Sequence, residues 1–256
     1  MMVKTIGIIG YGHYGKLVHE LIRRFALWVR VFVYELDMQD DQTFVTLEKI
    51  AACNVVVLAV PMHSFEKALR EVLATESICR ETIIVNVCTE QEVSGATLRA
   101  LASQHKFLSV HTLWGPEGYH NVGGDVRRLP PAVITDTNLD DRDVQQVLAF
   151  VAEKGFGTAQ MTAETHDEKI VAEKMYVAHL FSQLLNLMGM LHEDEYSSIA
   201  PLSFQDLLRS AMSVKGDVTL FMDLWTRLKK CQKTWDTFVR AVHLLESMKE
   251  QHQNGK

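Results

Sequence analysis

The sequence is short of cysteine and proline, and it has no long apolar run. Its 256 residues contain four cysteines and five prolines. Because the cysteines form no CxxC pair and no His/Cys ligand pattern, we expect reduced thiols in a cytoplasmic protein without a metal site. No apolar run approaches the roughly 20 residues of a membrane span, so we expect no membrane partner. The N-terminal residues run directly into a strand-and-turn pattern, which is not typical of a signal peptide.

Basic residues are fewer than acidic ones. The chain has 26 Lys and Arg residues against 32 Asp and Glu residues, a formal net charge of −6. Broad nucleic-acid binding needs a basic face that neutralises phosphates, so we expect no nucleic-acid partner. With 47% hydrophobic and 23% charged residues, the composition is that of an ordinary globular protein.

Residues 1–162 alternate short apolar runs with amphipathic helical patterns. The runs predict seven strands: Thr5–Ile9, Val29–Tyr34, Val55–Val60, Thr82–Val87, Phe107–Val110, Ala132–Thr135 and Gly157–Met161. Strands that are apolar on both faces are typical of a parallel sheet covered by helices. The alternation therefore predicts an N-terminal Rossmann domain, which is an α/β fold with a doubly wound, mostly parallel sheet.

Residues 163–256 show only helical patterns, at about 164–192, 203–213 and 217–250. We interpret this region as an all-helical domain for substrate binding and dimerisation. Leu180, Leu184, Leu187 and Leu191 form an apolar stripe, which must pack against another surface. Two surfaces could do so: the chain's own Rossmann domain, or the helical domain of a second copy in a homodimer. We favour the homodimer.

A glycine-rich turn follows the first predicted strand. Gly10, Gly12 and Gly15 form the pattern GxGxxG, which opens an amphipathic helix. In this setting the first glycine allows the turn, the second allows close approach of a pyrophosphate, and the third allows helix–strand packing. The helix N-terminus offers N–H groups to the phosphates. The pattern predicts a dinucleotide site, and we count Tyr14 of the same turn among its residues.

Three further residues are predicted to contact the dinucleotide. Glu35 lies 20 residues past Gly15, where a carboxylate accepts hydrogen bonds from the adenosine ribose hydroxyls. The alternative is an exposed strand-end carboxylate. Leu36 follows, rather than an Arg or Ser that would receive a 2′-phosphate, so NAD is favoured over NADP. Val60 and Pro61 end the third predicted strand, where such folds line the cofactor cleft.

Four further segments resemble the prephenate/arogenate dehydrogenase family, and their order and spacing match it. They are VVVLAVPMHSFEKAL (55–69), IIVNVCTEQEV (83–93), FLSVHTLWGPEGY (107–119) and HDEKIVAEKMYVAH (166–179). The third resembles the family motif THPMFGPE, and the fourth resembles the segment that opens the helical domain. The resemblance implies NAD-dependent oxidative decarboxylation of a cyclohexadienol, prephenate or arogenate, in tyrosine biosynthesis.

The resemblance also implies a catalytic pair. His111 matches the family's catalytic histidine, whose neutral imidazole accepts the proton of the C4 hydroxyl. Its alternative is a structural loop histidine. Thr89 matches the family serine that orients the histidine and the substrate hydroxyl. Its alternative, which is compatible, is a helix N-cap with Glu92 as the capping-box partner.

Three residues are implied to bind substrate. Arg209 matches a family arginine, and a guanidinium can hold a carboxylate with two hydrogen bonds. Its alternative is a solvated helix arginine. His166 and His179 match the family's substrate-side histidines, although histidines on an apolar helix are more often satisfied core residues.

Several positions depart from the family pattern. Asn86 replaces an aspartate, Gln91 a lysine, and Thr112 the proline after the catalytic histidine. The gap from His166 to His179 is one residue longer than in the family, and we expect the extra residue in the loop that enters the helix. These departures keep two alternatives open: a dehydrogenase of another carboxylated substrate, and a homologue that binds NAD without catalysis.

Overall fold

The computed structural model describes residues 3–36, 43–192 and 200–254. The chain divides into two compact units, a first unit of Met1–His166 and a second unit of Asp167–Lys256. The predicted domain boundary, after residue 162, lies four residues before the division between these units.

The first unit contains a seven-stranded sheet. Its strands are β1 (Thr5–Ile9), β2 (Arg30–Tyr34), β3 (Val55–Leu58), β4 (Ile83–Asn86), β5 (Lys106–Thr112), β6 (Ala132–Thr137) and β7 (Thr158–Gln160). Their order is β2-β1-β3-β4-β5-β6-β7, and all neighbours are parallel except β5 and β6. All seven predicted strands are present, and the predicted α/β class is confirmed.

The helices of this unit pack through two apolar clusters, of which the first includes residues of the sheet. The helices of this unit are α1 (His13–Phe25), α2 (Leu47–Ala51), α3 (Phe65–Leu73), α4 (Glu92–Leu101), α5 (Pro116–Asn121), α6 (Asp141–Glu153) and α7 (Ala163–His166). One cluster joins α2, α3 and α4 to β1–β4, with Ile50, Leu69 and Leu98 fully buried. The other joins α1 to α5 through Leu17 and Tyr119. Because the strand order reverses between β1 and β3, right-handed crossovers put α1 and α3 on opposite faces.

The register aligns the carboxyl ends of the central strands. Ile9 pairs with Leu58, Leu58 with Asn86, and Asn86 with Ser109. The segments that leave β1, β3 and β4 therefore begin at one edge of the sheet. This is the edge at which open α/β sheets bind ligands.

The second unit is helical. It contains a π-helical segment (Asp167–Met175) followed by α8 (Tyr176–Leu187), α9 (Leu202–Met212), α10 (Val218–Arg227) and α11 (Lys229–Asn254). Residues 217–250, predicted as one helix, form two, because the backbone is extended at Leu228 (φ −94°, ψ 111°). Across the described residues, no helix is both long and apolar enough to cross a membrane.

The π-helical segment accounts for the extra residue between His166 and His179. His166 is the last residue of α7, and the nine-residue π-helical segment follows it directly. The expectation of an extra residue in an entry loop is therefore wrong. A π-helix bonds residue i to i+5, so it holds more residues per turn than an α-helix and can absorb an insertion.

Candidate active site

The glycines of the GxGxxG turn fall into two kinds. Gly10 has a φ of +94°, and a Cβ there would lie 2.6 Å from the Ala59 carbonyl oxygen. A Cβ on Gly15 would lie 2.1 Å from the Gly10 carbonyl oxygen. A Cβ on Gly12 would meet no atom within 4 Å. Folding therefore requires glycine at positions 10 and 15, whereas position 12 opens onto free space.

The start of α1 is suited to an anion. Gly12 is the N-cap of this helix, and a glycine has no side chain to accept hydrogen bonds from the first turn. The first N–H groups of an α-helix have no partner within the helix and carry the positive end of its dipole. A phosphate placed at Gly12 would therefore meet N–H donors as well as space.

The Glu35 carboxylate is fixed against the glycine turn. Its Oε2 accepts the backbone N–H of Tyr11 at 2.6 Å, and its Oε1 accepts the N–H of Leu36 at 3.1 Å. Glu35 directly follows β2 and is half-buried. The carboxylate is thus held at the turn rather than projecting freely, unlike in the exposed alternative.

Val60 and Pro61 follow β3, which ends at Leu58, two residues earlier than predicted. The Val60 Cγ1 would lie 3.1 Å from a Cβ on Gly10, so this side chain adjoins the turn. Pro61 is exposed and precedes a 3-10 turn (Met62–Ser64). Both residues lie at the edge where the turn leaves β1.

Tyr14 connects α1 to the end of β5. Its hydroxyl lies 2.8 Å from Oγ1 of Thr112, which donates to the Trp114 carbonyl at 3.0 Å. Since the threonine hydrogen is used in that bond, the Tyr14 hydroxyl must be the donor. Burial raises the pKa of Tyr14 above its usual value, so the phenol keeps its hydrogen. Thr112, which replaces a family proline, thus has a partner in the predicted dinucleotide turn.

His111 lies within β5 opposite Val133, not after the strand as predicted. Its Nδ1 is 3.0 Å from Nε2 of His166, and the two rings meet edge to face at an interplanar angle of 83°. His111 is 5% exposed and His166 is fully buried. Two of the predicted site residues are therefore joined by a buried hydrogen bond, which the sequence did not indicate.

Asn86 holds the loop between β4 and α4 together. Its side-chain amide donates to the hydroxyls of Ser94 at 2.9 Å and Ser109 at 3.2 Å, and its oxygen accepts the N–H of Cys88. The Ser94 hydroxyl in turn donates to the Glu90 carbonyl. Ser94 therefore presents a lone pair to residue 86, and a donor is needed there. This explains the amide at a position where the family has an aspartate.

Gln91 and Glu90 complete the same loop. The fully buried Gln91 donates to the Cys88 carbonyl and accepts from Thr135 Oγ1 at 2.6 Å, which ties the loop to β6. The Glu90 carboxylate accepts the N–H groups of Val93 and Ser94 at the start of α4. The N-cap residue of α4 is Gln91, and the carboxylate that bonds to the first turn is that of Glu90, so the N-cap alternative for Thr89 is wrong.

Thr89 is half-buried in this loop. It lies three residues after Asn86, which pairs with Ser109, and His111 lies two residues after Ser109. Sequence reasoning missed the bonds made by Asn86 and Gln91. The available signal was that both are polar residues beside an apolar strand, at positions where the family has charged ones.

The second unit contains the predicted residues His179 and Arg209. His179 is 1% exposed on α8, and burial lowers its pKa to about 4. Its Nδ1 has no hydrogen-bond partner among the described residues, and the same holds for the Tyr176 hydroxyl and the Gln183 amide nitrogen. Because these positions are spaced by three and four residues, they share one face of α8.

Arg209 lies on α9 with an exposed side chain. Its guanidinium pairs with Asp206, one turn earlier, at 2.9 Å. An exposed pair of this kind is weak and exchanges partners readily. The arrangement matches the solvated-arginine alternative, and the substrate role of Arg209 stays a prediction.

Within residues 3–36, 43–192 and 200–254, no group of three or more His, Cys, Asp or Glu side chains is arranged to hold a metal ion. One nitrogen of His111 and one of His166 are engaged with each other in a hydrogen bond.

Solved structures with a similar fold include two dehydrogenases and a reductase. The prephenate dehydrogenase of Aquifex aeolicus, solved with hydroxyphenyl propionate and NAD+, superposes with a TM-score of 0.68 at 15% identity, covering 99% of this chain and 93% of that one. The arogenate dehydrogenase of Synechocystis gives 0.60 at 17% identity, covering 97% and 93%. A pyrroline carboxylate reductase of Plasmodium falciparum with NADP bound gives 0.52 at 16% identity, covering 98% and 92%.

Comparison of sequences finds a relative that matches only part of the chain. No protein-family model matches the chain. The erythronate-4-phosphate dehydrogenase of Pseudoalteromonas atlantica is 25% identical over 130 residues, which cover 46% of this chain and 33% of that protein. The chain thus spans about a third of this curated relative. Together, the structural likenesses show that the chain has the fold of prephenate and arogenate dehydrogenases.

Proposed function

We propose that the chain is an NAD-dependent dehydrogenase that oxidatively decarboxylates a cyclohexadienol, prephenate or arogenate, and so serves tyrosine biosynthesis. The observation that carries the proposal is the position of His111. Its strand belongs to the sheet whose carboxyl edge bears the glycine turn, and its Nδ1 is bonded to His166. A buried imidazole at such an edge is suited to act as a general base.

The glycine turn fits a dinucleotide. Gly12 leaves room for a pyrophosphate, α1 offers N–H donors to it, and Glu35 offers a fixed carboxylate to ribose hydroxyls. Residues 36–42, with the sequence LDMQDDQ, contain no Lys or Arg that would pair with a 2′-phosphate. We therefore propose NAD rather than NADP. When bound, NAD supplies the hydride acceptor.

His111 would take the proton of the substrate's C4 hydroxyl. In the tautomer that carries hydrogen on Nδ1, the Nε2 lone pair accepts this proton while the C4–H bond breaks with loss of hydride. The bond from C1 to the ring carboxylate then breaks, and carbon dioxide departs. Its electron pair completes the aromatic ring, and the C4 oxygen regains a proton to become a phenol.

Thr89 would orient the substrate hydroxyl or the base. The Asn86 and Gln91 bonds hold its loop rigidly between β4, β6 and α4. A hydroxyl on a fixed loop loses little entropy when it forms a hydrogen bond, so it can position a reacting group efficiently. Thr89→Ala should therefore lower kcat more than it raises KM.

Polar groups on α8 and α9 support a role of the second unit in substrate binding. The α8 face has three buried polar atoms without a partner among the described residues, including His179 Nδ1. The Arg209 guanidinium forms an exposed pair with Asp206 and can exchange it for a substrate carboxylate. We propose that both residues bind substrate, and replacing either should raise KM.

We also propose a homodimer. The second unit exposes large apolar side chains, among them Leu187 at 83% and Leu202 at 75%. On α11, Leu244, Leu245 and Met248 are exposed as well, and apolar groups clustered in this way mark interaction surfaces. Analytical ultracentrifugation should find a dimer that Leu245→Glu weakens and Glu246→Gln leaves intact. A wild-type chain that sediments as a monomer would contradict the proposal.

A second candidate is a dehydrogenase of a phosphorylated hydroxy acid. The partial match to an erythronate-4-phosphate dehydrogenase favours it. The same glycine turn and base would serve that reaction, because oxidation of a secondary alcohol also needs a proton acceptor and a hydride acceptor. The substrate thus decides between the two candidates.

The test is absorbance at 340 nm of the purified protein with NAD and, separately, prephenate, arogenate and 4-phosphoerythronate. The proposal expects NADH formation with prephenate or arogenate, together with release of carbon dioxide. Turnover of 4-phosphoerythronate alone would favour the second candidate. NAD binding without turnover of any of the three would contradict both proposed activities and favour a non-catalytic homologue.

A further inference from the structure

His111 and His166 join two elements that are distant in sequence. They are 55 residues apart in sequence, one on β5 and one at the end of α7, and their ring nitrogens lie 3.0 Å apart. Their ring centroids are 5.1 Å apart in an edge-to-face arrangement. The 3.0 Å separation of the two ring nitrogens is that of a hydrogen bond.

Two neutral imidazoles can form this bond in two ways. His111 can donate from Nδ1 to a lone pair on His166 Nε2, or His166 can donate from Nε2 to a lone pair on His111 Nδ1. Only when His111 donates from Nδ1 is its Nε2 unprotonated, with a lone pair that can accept a proton. In the second, Nε2 carries hydrogen and cannot take a proton. The direction of this one bond therefore decides whether His111 is a base.

We propose that His166 is a positioning residue that holds His111 in the Nδ1–H tautomer, so that Nε2 is the basic atom. This inference rests on the proposed function for its kinetic consequences. It assigns His166 a role other than the substrate contact that the family resemblance implies. The Nε2 atom of His166 is engaged by His111.

The protonated state of the base supports this direction. When His111 accepts a proton, both of its ring nitrogens carry hydrogen, so Nδ1 must donate to His166. With His111 as the donor at rest, the bond keeps its direction throughout the reaction. The opposite direction would require His166 to exchange its hydrogen between its own two nitrogens in a buried site. A bond from an imidazolium is also charge-assisted and therefore stronger.

Two substitutions separate positioning from other roles. His166→Gln places an amide oxygen near the former Nε2 position, where it can accept the His111 Nδ1–H. His166→Leu offers no acceptor at all. We expect kcat to fall about 100-fold in His166→Leu, with KM within about twofold of wild type, and we expect His166→Gln to restore most of kcat. A substrate contact would instead raise KM in both variants.

Nitrogen-15 NMR of imidazole-labelled protein gives a readout without substrate. The wild-type spectrum should show His111 with hydrogen on Nδ1, and the same tautomer should persist in His166→Gln. In His166→Leu it should shift toward Nε2–H, the form that free histidine prefers. His111→Asn identifies the His111 signals, and circular dichroism checks that each variant is folded.

The outcomes separate this inference from the proposed function. A wild-type His111 with hydrogen on Nε2 would overturn the inference, even if the enzyme turns over prephenate. A KM rise with unchanged kcat in His166→Leu would overturn it as well. If no substrate is turned over, the proposed function fails, and the tautomers in wild type and His166→Gln alone decide the inference. If His166→Leu does not fold, the same two spectra decide it.

Discussion

In the first unit, the buried polar groups near the candidate base bond to one another. Asn86 bonds to Ser94 and Ser109, and His111 bonds to His166. In the second unit, the buried polar atoms of Tyr176, His179 and Gln183 have no partner among the described residues. Large apolar side chains are exposed in that unit too, on α8, α9 and α11.

This difference has a physical meaning. A buried polar group without a partner costs free energy, so it is retained where water, a ligand or another chain supplies the partner. Among the described residues of the first unit, one buried side-chain atom of this kind is found, an Asp136 oxygen that lies 3.1 Å from the Arg99 guanidinium. Both units expose large apolar side chains, such as Trp28 and Leu36 in the first. The units differ in their buried polar groups: those of the first bond to one another, whereas three on α8 of the second are suited to a partner that a ligand, water or another chain supplies.

The glycine turn should be the least tolerant part of the first unit. Gly15→Ala should lower the free energy of unfolding by about 3 kcal/mol or more, because its Cβ would lie 2.1 Å from a backbone oxygen. Gly12→Ala should leave the melting temperature unchanged yet weaken NAD binding, because its Cβ would enter open space. Thermal denaturation and NAD titration measure the two effects.

Gly95 on α4 provides a matched control, because a Cβ there would meet only Ser109 Oγ, at 3.7 Å. Gly95→Ala should stabilise the helix by about 0.5–1 kcal/mol. A Gly15→Ala variant as stable as wild type would show that the turn can move aside and that folding does not require glycine at position 15.

In the second unit, burial of His179 should make stability depend on pH. Its pKa falls from 6.5 to about 4 on folding, so the unfolded chain binds this proton at a higher pH than the folded chain. The free energy of unfolding should therefore fall by about 3 kcal/mol as the pH drops from 6.5 to 4. Urea denaturation at pH 7 and 4.5 measures this change.

His179→Leu should remove that part of the pH dependence and leave stability at pH 7 the same or higher, since it removes a buried polar atom without a partner. If the variant showed the same pH dependence, or a marked loss of stability at pH 7, the His179 imidazole would have hydrogen-bond partners in the core.

In the first unit, replacing a buried polar group should lower stability, unlike the replacement of His179 in the second unit. Asn86→Asp keeps the shape but removes the donor that Ser94 and Ser109 require. We expect the free energy of unfolding to fall by about 2 kcal/mol at pH 7. The matched change Asn121→Asp, at an exposed position, should have little effect. An Asn86→Asp variant as stable as wild type would indicate that the serine hydroxyls reorient and that the network is less fixed than described.

The smallest expected effect concerns cofactor affinity. Glu35→Gln should raise the NAD dissociation constant about tenfold, because a neutral amide is a weaker acceptor for ribose hydroxyls than a carboxylate. Isothermal titration calorimetry measures it, with Glu20→Gln on the exposed side of α1 as the control. Unchanged affinity in Glu35→Gln would place the ribose elsewhere.

The sequence predicted the seven strands of the first unit because these strands are apolar on both faces, and it predicted the glycine turn because GxGxxG follows the first of them. It could not reveal the break at Leu228, because a leucine continues the amphipathic pattern and only the backbone conformation interrupts it. The π-helical segment was visible only as one extra residue, with no signal for where the chain absorbs it.

The candidate site was predicted residue by residue but not as a set of contacts. His111 and His166 were both identified, yet a hydrogen bond across 55 residues leaves no trace in local patterns. Asn86 and Gln91 were noted only as departures from a family. Their hydrogen bonds depend on which strands lie side by side, and that follows from the topology rather than from the residues themselves.

The most direct test of His111 as the general base is the turnover of His111→Asn with NAD and the preferred cyclohexadienol. Wild type and His120→Asn are measured beside it, since His120 is an exposed histidine on α5. We expect His111→Asn to bind NAD normally and to lose between about 10²-fold and 10⁴-fold in kcat, while His120→Asn retains wild-type turnover. A His111→Asn enzyme with near-normal kcat would contradict the assignment of His111 as the base.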